Sequence, residues 1–384
     1  MTKHPIFSNS VRVFFPLAAI IAVIVPMWTT SILNNNYPFT HSYFSAFQWH
    51  AYEMLFGFLL TLLTGFIFTA GGYWSGKGPI EGRPLILLLL AWIIDQVSIY
   101  LPVPGIVLLP LGLVFPLYFL KLLINLLDGY AQKGKFVFLF SFILILKTTF
   151  LLSEPLGYKP SYTFLTSLSL WAYTYFAFLI ATRLTPRFTQ TFFKFENKIK
   201  TPAGLLVTTE LSIISLILAA FNFVPDTFSG FLYIFAAVLS FVQLTHWRTL
   251  TAIRKPVIGL LHIGYLLFIL SLFVAAAGKL FPIFGILKSD THLLLTGGIA
   301  FIAMNIMVRS SLGHTGRKIE MTPTIYAIFA CLIIGALLRT FVPIIFPSYA
   351  IKSLHHSMGT WTLGYIIFLV KFVPMLVRRR ADGK

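Results

Sequence analysis

Six consecutive residues, Trp49-His50-Ala51-Tyr52-Glu53-Met54, stand at the mouth of an otherwise apolar run. They hold several of the side-chain types that metal chemistry uses. On a helix, His50, Glu53 and Met54 fall at i, i+3 and i+4, on one face. Imidazole beside thioether suits a soft ion such as Cu(I), or haem iron. A carboxylate one turn on is placed to orient a ligating imidazole. The same residues also read as an interfacial belt, with Trp49, His50 and Tyr52 at headgroup level.

Other chemistry-bearing residues lie far apart in the chain. His262, in KPVIGLLHIGY, stands roughly 10 Å into its apolar run, counted from Lys255 at 1.5 Å per residue. His314, in VRSSLGHTGRK, is bracketed by glycines, with Arg309, Arg317 and Lys318 near enough in sequence to neutralise haem propionates or another anion. His292 opens a further apolar run beside Asp290. His355 and His356 are adjacent and point about 100° apart on a helix. His246 sits in a short basic connection, and Asp95, Lys147, Glu210 and Arg339 lie inside apolar runs, where pairing between helices or a proton pathway accounts for them. Walker loops, GxGxxG, CxxC, HExxH and CxxCH are all absent, so a haem would be held non-covalently.

These residues need elements to carry them. Of 384 residues 58% are hydrophobic and 10% charged, and mean hydropathy is +0.87. A soluble domain carries about 25% charged residues. The chain therefore reads as an all-α polytopic membrane protein. Apolar runs of spanning length fall at roughly 12–30, 50–72, 85–101, 104–127, 136–153, 161–182, 204–224, 227–247, 257–280, 291–309, 322–345 and 353–377. That is one transmembrane domain of about twelve spans, divided six and six by the polar connection 185–204, with no internal repeat evident. The lone Cys331 lies within an apolar run and forms no internal disulfide.

The net charge of +18 follows the loops. With the N-terminus cytoplasmic, Lys77, Arg83, Lys133, Lys135, Arg183 to Lys200, Arg248 to Lys255, Arg317, Lys318 and the terminal arginines all face inward. Only Lys147, Lys159, Lys279, Lys288, Arg339 and Lys352 remain elsewhere. This is the positive-inside pattern. It places both termini in the cytoplasm and removes the need for a nucleic-acid partner. It also sorts the histidines, with His41, His50, His292, His355 and His356 outside and His4, His246, His262 and His314 inside. Because the hydrocarbon region is about 30 Å thick, no single metal takes ligands from both groups unless a helix is broken or re-entrant. Two separate sites are expected, one on each side.

QWHAYEMLFGF resembles the WHAHEM signature of the NnrS family, and the likeness continues through TGFIFTAGGYWSGKGPIEGRPL, HWRTLTAIRKPVIGLLHIGY and THLLLTGGIAFIAMNIMVRSSLGHTGR to the terminal RRRADG. That resemblance implies a multi-span protein of the bacterial inner membrane that binds haem and copper; with two sites, copper then falls outside near His50 and Met54 and haem inside near His314. It also implies a link to nitric oxide and nitrosative stress. It carries over His50, Glu53, His262, His292, His314 and Arg317. Tyr52 stands where the family usually has a second histidine, leaving one ligand fewer or a phenolate in its place. Two other classes remain open: a haem–copper NO or oxygen reductase, and a secondary transporter of a metal or anion working through Asp95, Glu210 and Arg339.

Overall fold

The computed structural model describes residues 4–33, 44–153, 161–281, 283–284 and 289–383. His41, Lys3, Lys159, Lys288 and the side chain of Asp290 lie outside what it describes. Among the described residues there is no strand. The described residues form twelve long helices: α1 (Ser10–Leu33), α2 (a run through 46–75), α3 (Gly82–Ser98), α4 (Gly105–Leu126), α5 (Lys133–Leu152), α6 (Tyr162–Phe193), α7 (Ala203–Ser215, prolonged by a 3-10 turn Leu216–Ala220), α8 (Asp226–Thr245), α9 (Pro256–Leu280), α10 (a run through 289–314), α11 (Pro323–Ile345) and α12 (Ala350–Leu376). Helices are the form these sequences must take, since apolar surroundings leave backbone N–H and C=O groups no partner but one another.

Eleven of these helices are long and apolar enough to cross a membrane. The twelfth, α3, spans 17 residues, about 26 Å at 1.5 Å per residue, and carries Asp95 in its last turns. The polar connection expected at 185–204 is partly helix. Helix α6 continues through Pro186 to Phe193 before the chain becomes irregular ahead of Ala203.

Helices α2 and α10 share a departure from regularity. In α2, Ala46–Tyr52 leads into a π-helical stretch, Glu53–Leu59, before the α-helix Leu60–Ser75. In α10, Ser289–His292 leads into π-helical Leu293–Ile299 and then Ala300–His314. Such turns are rare in soluble proteins and gather at functional sites. Glycine in the left-handed conformation follows each helix, Gly76 at φ 76° and Gly316 at φ 71°, as expected of a residue without Cβ at a helix C-terminus.

By its internal contacts the chain divides into two units. The first holds Met1–Ser169, Arg309–Lys318 and Tyr365–Lys384. The second holds Leu170–Val308 and Ile319–Gly364. In the first, α1 packs on α2 and α3 on α4; in the second, α9 packs on α8 and on the π-helical stretch of α10.

Candidate functional site

The first unit places His50 in the opening turns of α2. Its Nδ1 lies 2.9 Å from Thr29 Oγ1 on α1. That hydroxyl has one proton, and it lies 2.8 Å from the Val25 carbonyl as a donor to it. Thr29 therefore accepts from His50 Nδ1–H, which leaves the lone pair on Nε2. This is the tautomer of a metal-ligating histidine whose other nitrogen is anchored by a neighbour. Met54, four residues on, is half-buried.

Glu53 was expected to orient His50. The structure turns it instead to Tyr100, whose hydroxyl donates to Oε1 at 2.9 Å, while the Trp49 indole N–H donates to the Tyr100 oxygen at 3.1 Å. Tyr52 is fully buried among Phe44, Phe56 and Phe150, with ring centroids 5.3–5.7 Å away. Lys147 Nζ lies 5.6 Å from its ring centre. Lys147 in turn forms an ion pair with Asp95, both side chains being wholly buried, and the Gln96 amide donates to the other Asp95 oxygen at 3.3 Å. A buried charge needs such a partner, so the pairing expected for these two residues is realised.

His314 ends α10, and its surroundings also belong to the first unit. Asn9 Nδ2 faces His314 Nδ1 at 3.3 Å. The amide cannot be turned round, because Asn9 Oδ1 already accepts from the Val11 backbone N–H at 3.2 Å and from Thr69 Oγ1. Asn9 thus donates to Nδ1, and the neutral ring carries its proton on Nε2. Tyr73 stacks on the ring, centroids 5.9 Å apart. Arg12, fully buried, donates to the carbonyls of His314, Leu376 and Arg378 at 2.7–3.1 Å. Arg317 reaches the Thr315 carbonyl at 3.2 Å, Arg309 is half-buried and Lys318 exposed. Outside the spans, Arg380 is held above the usual guanidinium range by its hydrogen bonds to Asp382.

In the second unit His262 is buried between two hydroxyls, Thr189 at 2.8 Å from Nε2 and Thr249 at 3.0 Å from Nδ1, so both nitrogens are occupied. His292 faces Arg339, whose Nη2 is 3.1 Å from Nδ1 and 3.3 Å from Nε2. A guanidinium only donates, and its charge repels a cation brought to those nitrogens. His355 Nδ1 donates to the Ile351 carbonyl at 2.8 Å, which gives it the same tautomer as His50. His356 and His246 are exposed. Glu210 accepts from the Tyr175 hydroxyl at 2.6 Å. Among the described residues no three His, Cys, Asp or Glu side chains converge on one point. The sequence reading missed Thr29, Asn9, Tyr73 and Tyr100, polar or aromatic residues without motif whose meaning appears only through their partners.

Residues 5–380 match the family described as NnrS protein. The chain belongs to the NnrS family. A search of curated proteins finds no match. NnrS membership, together with eleven helices among the described residues that are long and apolar enough to cross a membrane, makes this a membrane protein connected with nitric oxide.

Proposed function

We propose that this NnrS protein binds copper and haem in the bacterial inner membrane, with both termini cytoplasmic, and serves in the response to nitric oxide. The observation that carries the copper reading is the hydrogen bond from His50 to Thr29, which sets the imidazole in the ligand tautomer. Met54 supplies a thioether from the same helix, a donor pair suited to Cu(I). Its remaining donors are not assigned.

The haem rests on the family. At His314 the Asn9 amide donates to Nδ1, so Nε2 carries a proton instead of a lone pair. The residues there do not fit an axial ligand as they stand, and no haem ligand is assigned. A bound haem would supply iron to which NO can bind. What this chain itself does at the copper site is to orient one imidazole through the Thr29 hydroxyl.

Copper and haem analysis of the purified protein, with spectra before and after NO, tests this. His50→Ala should lose copper and keep haem. Thr29→Val should weaken copper binding by about 10–100-fold, as removal of such an anchoring neighbour does. Undiminished copper in His50→Ala overturns the site. A colourless preparation without response to NO overturns the haem.

A further inference from the structure

The geometry points to an oxyanion-binding site at His314, in which the imidazole is a hydrogen-bond donor. It does not depend on the copper reading. Its foundation is a buried network. Ser10 Oγ lies 2.7 Å from Thr69 Oγ1 and 2.8 Å from the Gly65 carbonyl, and its one proton serves the contact to Thr69, whose own proton is committed to Asn9. Thr69 donates to Asn9 Oδ1, as does the Val11 N–H. Asn9, Ser10 and Thr69 are 5%, 0% and 3% exposed, so the amide has one orientation and must show its NH2 to His314. The ring then presents Nε2–H, and Tyr73 fixes its plane.

The charge around that donor is positive. Arg12, Arg317 and Arg380 lie close enough to His314 or to one another to interact electrostatically. The carboxylate among them is Asp382, bound by both Arg380 Nε and Nη2 at 2.9 and 2.6 Å. Asp382 also lies against Gly316, where a Cβ would come within 2.5 Å of its carboxylate. Arg12 keeps a buried Nε–H with no acceptor among the described residues. Donors in excess of acceptors, a surplus of guanidinium charge and an N–H in place of a lone pair suit a phosphate-like group. Its source is either a free oxyanion or the phosphodiester of an anionic lipid.

The test is thermal unfolding of the purified full chain with inorganic phosphate against chloride at matched ionic strength. A second arm uses nanodiscs of phosphatidylglycerol against phosphatidylcholine. Phosphate should raise the melting temperature in a saturable way, as any ligand selective for the folded state does. His314→Gln keeps an N–H donor in that region and should keep most of the shift. Arg317→Gln should reduce it. Asn9→Asp puts an acceptor against Nδ1, draws the ring proton there and turns Nε2 into a lone pair, so the shift should vanish. Stabilisation by phosphatidylglycerol alone identifies the lipid as the source. No shift in either arm, or an equal shift in folded Asn9→Asp, overturns the site. Should Asn9→Asp fail to fold, an equal shift in Arg317→Gln and in Tyr73→Ala does so.

Discussion

Glu53–Leu59 and Leu293–Ile299 are the same backbone device with different chemistry. Each begins at or just after a histidine turn, and each has glycine as its fifth residue, Gly57 and Gly297. In each, the side chain of the first residue folds onto that glycine. A Cβ at Gly57 would collide with Glu53 Oε2, and one at Gly297 would meet Leu293 Cδ1 at 2.9 Å. The left-handed glycines Gly76 and Gly316 follow at matching positions downstream. In one helix the folded-back side chain is a carboxyl joined to Tyr100; in the other it is a leucine in an apolar cluster with Val274 and Ala336. A π turn in this chain is therefore a packing solution, and what it does chemically depends on its first residue.

The largest effect separating the two regions is expected from the ion pair beside the first π turn. Lys147→Met strands Asp95 as a buried charge and should cost about 3–5 kcal/mol, read as a lower melting temperature in detergent. Asp95→Asn combined with Lys147→Met should recover most of it. A single variant that melts with the parent would break the distinction between a charged first region and an apolar second one. An intermediate effect is expected from Gly297→Ala, where Leu293 must give way. Overpacking of this kind costs roughly 1–3 kcal/mol. An unchanged melting temperature would show that the fifth-residue glycine is not what the fold-back requires. The smallest effect is expected at Tyr52. Because its hydroxyl is buried among aromatic rings rather than shared with His50, Tyr52→His should retain or increase copper content. Loss of metal on that change would make the phenol a part of the site.

The helices were legible because hydropathy and helix length obey the same thickness. Eleven of the twelve expected spans coincide with helices long and apolar enough to cross a membrane, ten of them to within about six residues at either end, while Tyr162–Phe193 runs well past the expected end at 182; α3 has 17 residues. The Asp95–Lys147 pairing was legible as a need for partners. The π turns were not, since EMLFGFL and LLLTGGI share only a leucine and a glycine and read as ordinary apolar helix. Nor was the tautomer of any histidine. His50, His262, His292 and His314 look alike in sequence, and Thr29, Thr189 with Thr249, Arg339 and Asn9 make them four different groups. Those partners are 21 residues away at His50 and 305 away at His314, beyond any local pattern.

Arg12 ties together stretches of chain that are made far apart in time. Its guanidinium holds the carbonyls of His314, Leu376 and Arg378, which lie 302, 364 and 366 residues further along. The helix that carries the cation is therefore synthesised long before any of those acceptors exists, and the contact can close only late in folding. A chain cut before residue 376 would keep one of these three acceptors and lose two.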